Sequence, residues 1–132
     1  MENGVIKIED SVGSVRIGDE VVSMIAGMAA TEIKGIAGMS GGIVEGIAEL
    51  LGRNYLSKGV KVEVGETEAR VDLYIIVKYG ERIPEVAISV QENVKNKIEE
   101  FTGLSVVEVN VYVQGIDFGD DDKKEDDRRA VR

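Results

Sequence analysis

Between residues 71 and 116 the chain alternates, then steps by four, then alternates again. Val71, Leu73, Ile75 and Val77 lie on one side of a repeat whose other side is Asp72, Tyr74, Ile76 and Lys78, which predicts a strand. Gly80 breaks it. Pro84 follows near a first helical position, where a missing N–H costs nothing. Val86, Val90, Val94, Ile98 and Phe101 then mark one face of a helix that Gly103 ends. Val107, Val109, Val111 and Val113 line one face of a last strand, opposite Glu108, Asn110 and Tyr112.

Upstream, Val60, Val62 and Val64 alternate with Lys61 and Glu63. They predict a strand that pairs with the next across a turn at Gly65-Glu66-Thr67-Glu68. Val22, Ile25, Ala29, Ile33 and Ile36 recur at helical spacing behind Asp19, which is placed to cap the helix. The small residues Ala26, Gly27, Ala29 and Ala30 in that helix predict a close approach to another backbone. GIAGMSGG, from Gly35 to Gly42, reads as a break, and residues 43–51 as a short helix capped by Gly52. Ser14 to Ile17 predicts a short strand.

The expected order is β-α-α-β-β-α-β. Its fold class is α+β, a two-layer sandwich of a small mixed sheet with helices packed on one face. The strand-helix-strand unit makes its two strands parallel through a right-handed crossover, and a ferredoxin-like topology is the close alternative. Residues 1–12 read as an extended arm and 13–116 as a single domain. Residues 117–132 carry charge clusters with almost no apolar content and read as a disordered tail.

Composition narrows the chemistry. The 132 residues contain no Cys and no His, which removes disulfides, thiolate and imidazole catalysis, and the common zinc ligand sets. With 16 basic and 25 acidic residues the net charge is -9, so nucleic acid and anionic membrane surfaces are not expected partners. No apolar run reaches bilayer length and the first residues do not read as a signal peptide, so direct membrane insertion is not expected and a cytoplasmic location is.

Three groups of residues are candidate sites. Gly38 to Gly42 could cradle a phosphate, but it lacks the Lys-Ser/Thr of a P-loop, and a flexible connection is the simpler reading. Glu63, Glu66, Glu68, Asp72, Glu81 and Glu85 could include a divalent-metal site, against a plain solvated face. The third is a docking surface. Tyr79, Arg82 and Glu85 stand at a strand-to-helix corner, and Tyr74, Ile76, Val106 and Tyr112 put apolar or aromatic groups on the nominally polar strand faces. The alternatives are a structural corner with an Arg82–Glu85 surface pair, and cover from the N-terminal arm. Tyr and Arg are frequent interface anchors, which makes Tyr74, Tyr79, Arg82, Glu85 and Tyr112 the candidate docking residues.

VDLYIIVKYGERIPEVAISVQENVKNKIEEFTGLSVVEVNVYVQGI resembles the core signature of the alkaline shock proteins, the envelope stress response family of Gram-positive bacteria. GDEVVSMIAGMAATEIKGIAGMSGG and GVKVEV are similar to its earlier blocks, so the likeness covers about residues 13–116. It implies a small cytoplasmic protein with no enzymatic activity, no cofactor and no catalytic residues. Members are linked to envelope homeostasis and stress. Some are held near the membrane by a separate membrane-anchor protein, and some self-associate. Together with the acidic, His- and Cys-free chain, the resemblance implies an interaction or scaffold protein; the alternative, read from Gly38 to Gly42 or from Glu63, Asp72 and Glu85, is a small-molecule or divalent-metal-binding accessory protein.

Overall fold

Eight elements, described over residues 5–40 and 58–119 of a computed structural model, carry these patterns into three dimensions. They are β1 (Val5–Glu9), β2 (Ser14–Gly18), α1 (Asp19–Thr31), β3 (Ile36–Met39), β4 (Val60–Val64), β5 (Glu68–Lys78), α2 (Ile83–Thr102) and β6 (Ser105–Asp117). The expected helix over residues 43–51, its Gly52 cap and most of the charged tail lie outside the described residues.

β5 is the centre of the main sheet because it alone pairs on both edges. β4 and β3 run antiparallel to it, end to end along one edge, β4 opposite Ala69–Leu73 and β3 opposite Ile75–Val77. β6 runs parallel to it along the other edge, from Glu68↔Ser105 to Lys78↔Asp117. α2 connects these parallel strands, as a parallel pair requires. β4 meets β3 opposite Tyr74, whose N–H donates to the Gly59 carbonyl (2.8 Å) and whose carbonyl accepts from the Ser40 N–H (2.7 Å). A Cβ on Gly59 would stand 2.9 Å from the Tyr74 oxygen, and φ there is +80°, so the junction needs glycine.

Both helices cover the same sheet face. Val71, Leu73 and Ile75 of β5 and Val90, Val94 and Ile98 of α2 are fully buried together. Burying each such side chain stabilises by roughly 1.5–3 kcal/mol. Ala26, Gly27, Ala29 and Ala30 are buried in α1, and its Ala29 carbonyl is close enough to α2 to accept from Asn93 Nδ2 at 2.8 Å. The small residues thus serve the close approach expected of them. At the end of α2 the buried Thr102 hydroxyl is satisfied twice, donating to the Ile98 carbonyl (2.6 Å) and accepting from the Leu104 N–H (3.1 Å).

Several expectations change. Asp19 does not cap α1: Gly18 occupies the N-cap with no side-chain bond, and Asp19 and Glu20 sit in the first turn, where the helix dipole favours them. Ile36 is not on α1, which ends at Thr31. It begins β3, opposite Val77. Phe101 is 57% exposed, and the buried row of α2 runs Val86, Val90, Val94, Ile98, Thr102 instead. Val106 belongs to the core, 4% exposed opposite Ala69, because the register shifts between Val106 and Glu108 and leaves Val107 outside. The N-terminal residues expected as an arm include β1, which pairs with β2 in a two-stranded antiparallel sheet.

Candidate partner-docking surface

The face of β5 turned away from the helices is built by strand alternation. Asp72, Tyr74 and Ile76 are half-buried on it, and parallel register sets Asn110 beside Asp72 and Tyr112 beside Tyr74. The two tyrosine rings stack, with centroids 4.8 Å apart and planes 15° apart. Lys61 of β4 holds its ammonium 5.6 Å from the Tyr74 ring, and Asn110 Nδ2 donates to Asp72 (2.9 Å) and to Glu108 (2.8 Å). Arg70 approaches Glu108 at 3.7 Å, an exposed pair that contributes little. Tyr112 nevertheless stays 44% exposed, so the stack offers an aromatic surface rather than a core contact.

The corner after β5 forms a second aromatic cluster. The Tyr79 N–H donates to the Asp117 carbonyl at 2.9 Å, which holds the corner against the end of β6. The Tyr79 ring then meets Phe118 at 5.1 Å, both rings more than half exposed. Arg82 and Glu85 pair with each other at 3.1 Å on the first turn of α2. The five candidate residues therefore fall into two groups: Tyr74 with Tyr112 on the open sheet face, and Tyr79, Arg82 and Glu85 at the corner. Phe118 was not anticipated, because its neighbours Asp117 and Asp120 place it in a charged sequence. Only the β6 register shows that the chain still follows β5 there.

Along the other side of β6, three residues of α2 at four-residue spacing form a polar seam. Glu99 accepts from the Val106 N–H (2.9 Å), Lys95 reaches the Val106 carbonyl (3.4 Å) and Gln91 donates to the Val109 carbonyl (2.9 Å). The Lys95 ammonium bonded to it at 2.6 Å, and then the Val106 N–H, hold the Glu99 carboxyl below its ordinary value of 4.5 against a smaller opposing effect of desolvation. Among the described residues no three acidic groups converge into a metal site, and Glu85 is engaged by Arg82. The tyrosines have stacking and hydroxyl hydrogen bonding to offer.

Residues 7–118 match the sequence model of the alkaline shock protein 23 family, whose function is cell envelope-related. The chain belongs to this family. It is 40% identical over 120 residues to the protein YqhY of Bacillus subtilis, covering 89% of each chain. To YloU of the same organism it is 41% identical over 113 residues, 84% of this chain and 94% of the relative. A stress response regulator gls24 homolog of Streptococcus pyogenes is 32% identical over 105 residues, 79% of this chain and 59% of that longer relative. No solved structure matches. The family resemblance drawn from the strand-helix-strand signature is thereby established, and the matched stretch includes β2, both helices and β6. Among the described residues no helix is long and apolar enough to cross a membrane.

Proposed function

We propose that this family member is a non-enzymatic interaction protein of the cell-envelope stress response, acting through protein partners close to the membrane. The observation that carries this reading is the Tyr74–Tyr112 stack on an exposed sheet face, joined at the end of the same strands by Tyr79 on Phe118. Tyrosine suits docking because its ring supplies a large contact area at the cost of few rotors and its hydroxyl finds a polar partner. The charged groups beside the stack are engaged within the sheet: Asn110 holds Asp72 (2.9 Å) and Glu108 (2.8 Å), and the Lys61 ammonium lies 5.6 Å from the Tyr74 ring. The net charge of -9 opposes direct adsorption to an anionic leaflet, so a protein partner supports nearness to the membrane better than lipid contact does.

The test is photo-crosslinking in cells, with a photoreactive amino acid in place of Tyr112 or Tyr79 in the full chain and, as control, in place of the exposed Lys34. Discrete protein adducts at position 112 or 79, enriched in the membrane fraction and missing at position 34, are expected. Adducts no stronger than the position-34 control would refute the reading.

A further inference from the structure

We propose that the outer edge of β6 from Val111 to Ile116, unpaired among the described residues, accepts an extended, basic-ended segment of a partner protein as an added strand. This deepens the interaction reading and rests on it.

Backbone parity shows which groups face outward. Tyr74 spends both its N–H and its carbonyl on Gly59 and Ser40, so the even residues of β5 face β4 and β3, and its odd residues face β6. Ser105 N–H to the Thr67 carbonyl (2.8 Å) and Tyr79 N–H to the Asp117 carbonyl (2.9 Å) fix the same parity at the two ends. With the register shifts included, Glu108, Asn110, Tyr112 and Gly115 turn their backbone groups to β5. Val109, Val111, Val113 and Ile116 turn theirs to the outer edge, as the Gln91 bond to the Val109 carbonyl confirms.

The edge is guarded over half its length. The α2 seam of Glu99, Lys95 and Gln91 closes the groups of Val106 and the carbonyl of Val109. Near one turn earlier in α2 stands Ile88, 53% exposed, which has no polar atom to offer. Among the described residues nothing bonds to the outward groups of Val111, Val113 and Ile116. Edge strands are ordinarily blunted by charge, proline or cover, yet residues 109–116 contain no charged residue and no proline. The register shift between Val113 and Gly115 is the kind of irregularity that blunts an edge, and it lies beyond Val111 and Val113, which keep regular register with Leu73 and Ile75.

Charge selects the occupant. Glu108 and Asp117 bound the rail, but Glu108 already lies 3.7 Å from Arg70 and Asp117 stands in register with Lys78, so the excess negative charge there comes from Glu92. Glu92 lines the hollow of about 250 Å³ between α2 and β6, whose one cation, Lys95, is held by Glu99 at 2.6 Å. A second copy would bring another net charge of -9 against this acidic edge. A segment with β-branched residues between Lys or Arg ends meets Glu92 favourably and supplies the missing backbone partners.

The test uses the full chain and a fluorescein-labelled peptide of alternating Val and Thr with Lys at both ends, followed by anisotropy. Two control peptides carry either Glu ends or N-methyl groups on alternate residues. We expect the Lys-ended peptide to bind at least tenfold more tightly than either control. Val111→Pro, whose lost N–H faces the outer edge where proline is tolerated, is expected to lose that binding, and the surface change Glu92→Lys to weaken it severalfold. Failure of wild type to bind, or equal binding of the N-methylated peptide, overturns the proposal even if Val111→Pro does not fold. So does a dimer in sedimentation that Val111→Pro dissolves, since the edge would then belong to a second copy. Partner adducts at position 112 or 79 that survive in Val111→Pro would remove the edge from the account and leave the interaction reading standing.

Discussion

Gly59→Ala tests the junction on which the main sheet turns from β4 to β3. A Cβ there would lie 2.9 Å from the Tyr74 carbonyl oxygen, 3.1 Å from the Ser40 carbonyl oxygen and 3.2 Å from the Ser40 nitrogen, and none of these backbone atoms can rotate away. The left-handed φ of +80° adds about 1–2 kcal/mol for a non-glycine residue. Relieving the contact must also stretch the 2.8 Å Tyr74–Gly59 bond or the 2.7 Å Ser40–Tyr74 bond, each a net contribution of about 0.5–1.5 kcal/mol. The expected loss is about 2–3 kcal/mol, a large part of a stability that is typically about 5–15 kcal/mol. Gly80→Ala is the control, because φ is +95° there but a Cβ would meet nothing within 4 Å. It should show the backbone strain alone. Urea unfolding followed by circular dichroism, with m unchanged, reads both changes as midpoint shifts. If Gly59→Ala is no worse than Gly80→Ala, the contact with Tyr74 and Ser40 does not constrain the sheet as argued.

Val94→Asp places a carboxylate at a fully buried point of the α2 row and should leave no cooperative urea transition, the loss being about 4 kcal/mol or more; a soluble, folded variant would displace Val94 from the core. Phe101→Ser should change stability by less than about 1 kcal/mol, since the ring is 57% exposed, and a larger loss in the same assay would return Phe101 to the packed face. Because the folded state lowers the Glu99 pKa, the carboxylate stabilises fully above its ordinary value of 4.5, and that contribution fades as pH falls through the lower folded value. Glu99→Gln should therefore lose stability at pH 7 yet show a flatter decline in urea midpoint between pH 5 and about pH 3; an unchanged slope would mean that the Lys95 and Val106 bonds do not persist in solution.

The parts of the fold legible in the sequence are those where one periodicity governs a whole element. β5 alternates without interruption and α2 steps by four, so both faces could be read from residue type. What stayed hidden depended on tertiary register. The helical spacing of Ile33 and Ile36 suits a longer α1, yet Ile36 reaches the same core as a strand residue opposite Val77. The buried row of α2 follows the i+4 ridge, which is inclined to the helix axis, so the last turn presents Thr102 rather than Phe101. One extra residue between Val106 and Glu108 reverses which of two adjacent valines is buried. Tyr74 and Tyr112 were individually visible as aromatics on a polar face, but their stacking depends on a parallel register that no local pattern contains.

The two candidate surfaces share β6, and this makes the arrangement more than a scatter of exposed apolar groups. Tyr112 turns its backbone to β5 and its ring to the open face, while its neighbours Val111 and Val113 turn their backbones outward. A strand added along that rail would lie beside the Tyr74–Tyr112 stack, and its side chains on that face would extend the aromatic surface by one strand. Toward Ser105 the same rail is closed by Glu99, Lys95 and Gln91, so an incoming segment has only the Val111–Ile116 end available. That end leads to Asp117, Phe118 and the Tyr79 corner. Pairing along the edge would supply affinity without regard to sequence, and the tyrosines and Glu92 would supply the selection. A partner engaging only the corner would be lost with Tyr79 and indifferent to Val111, whereas one engaging the edge must respond to both positions.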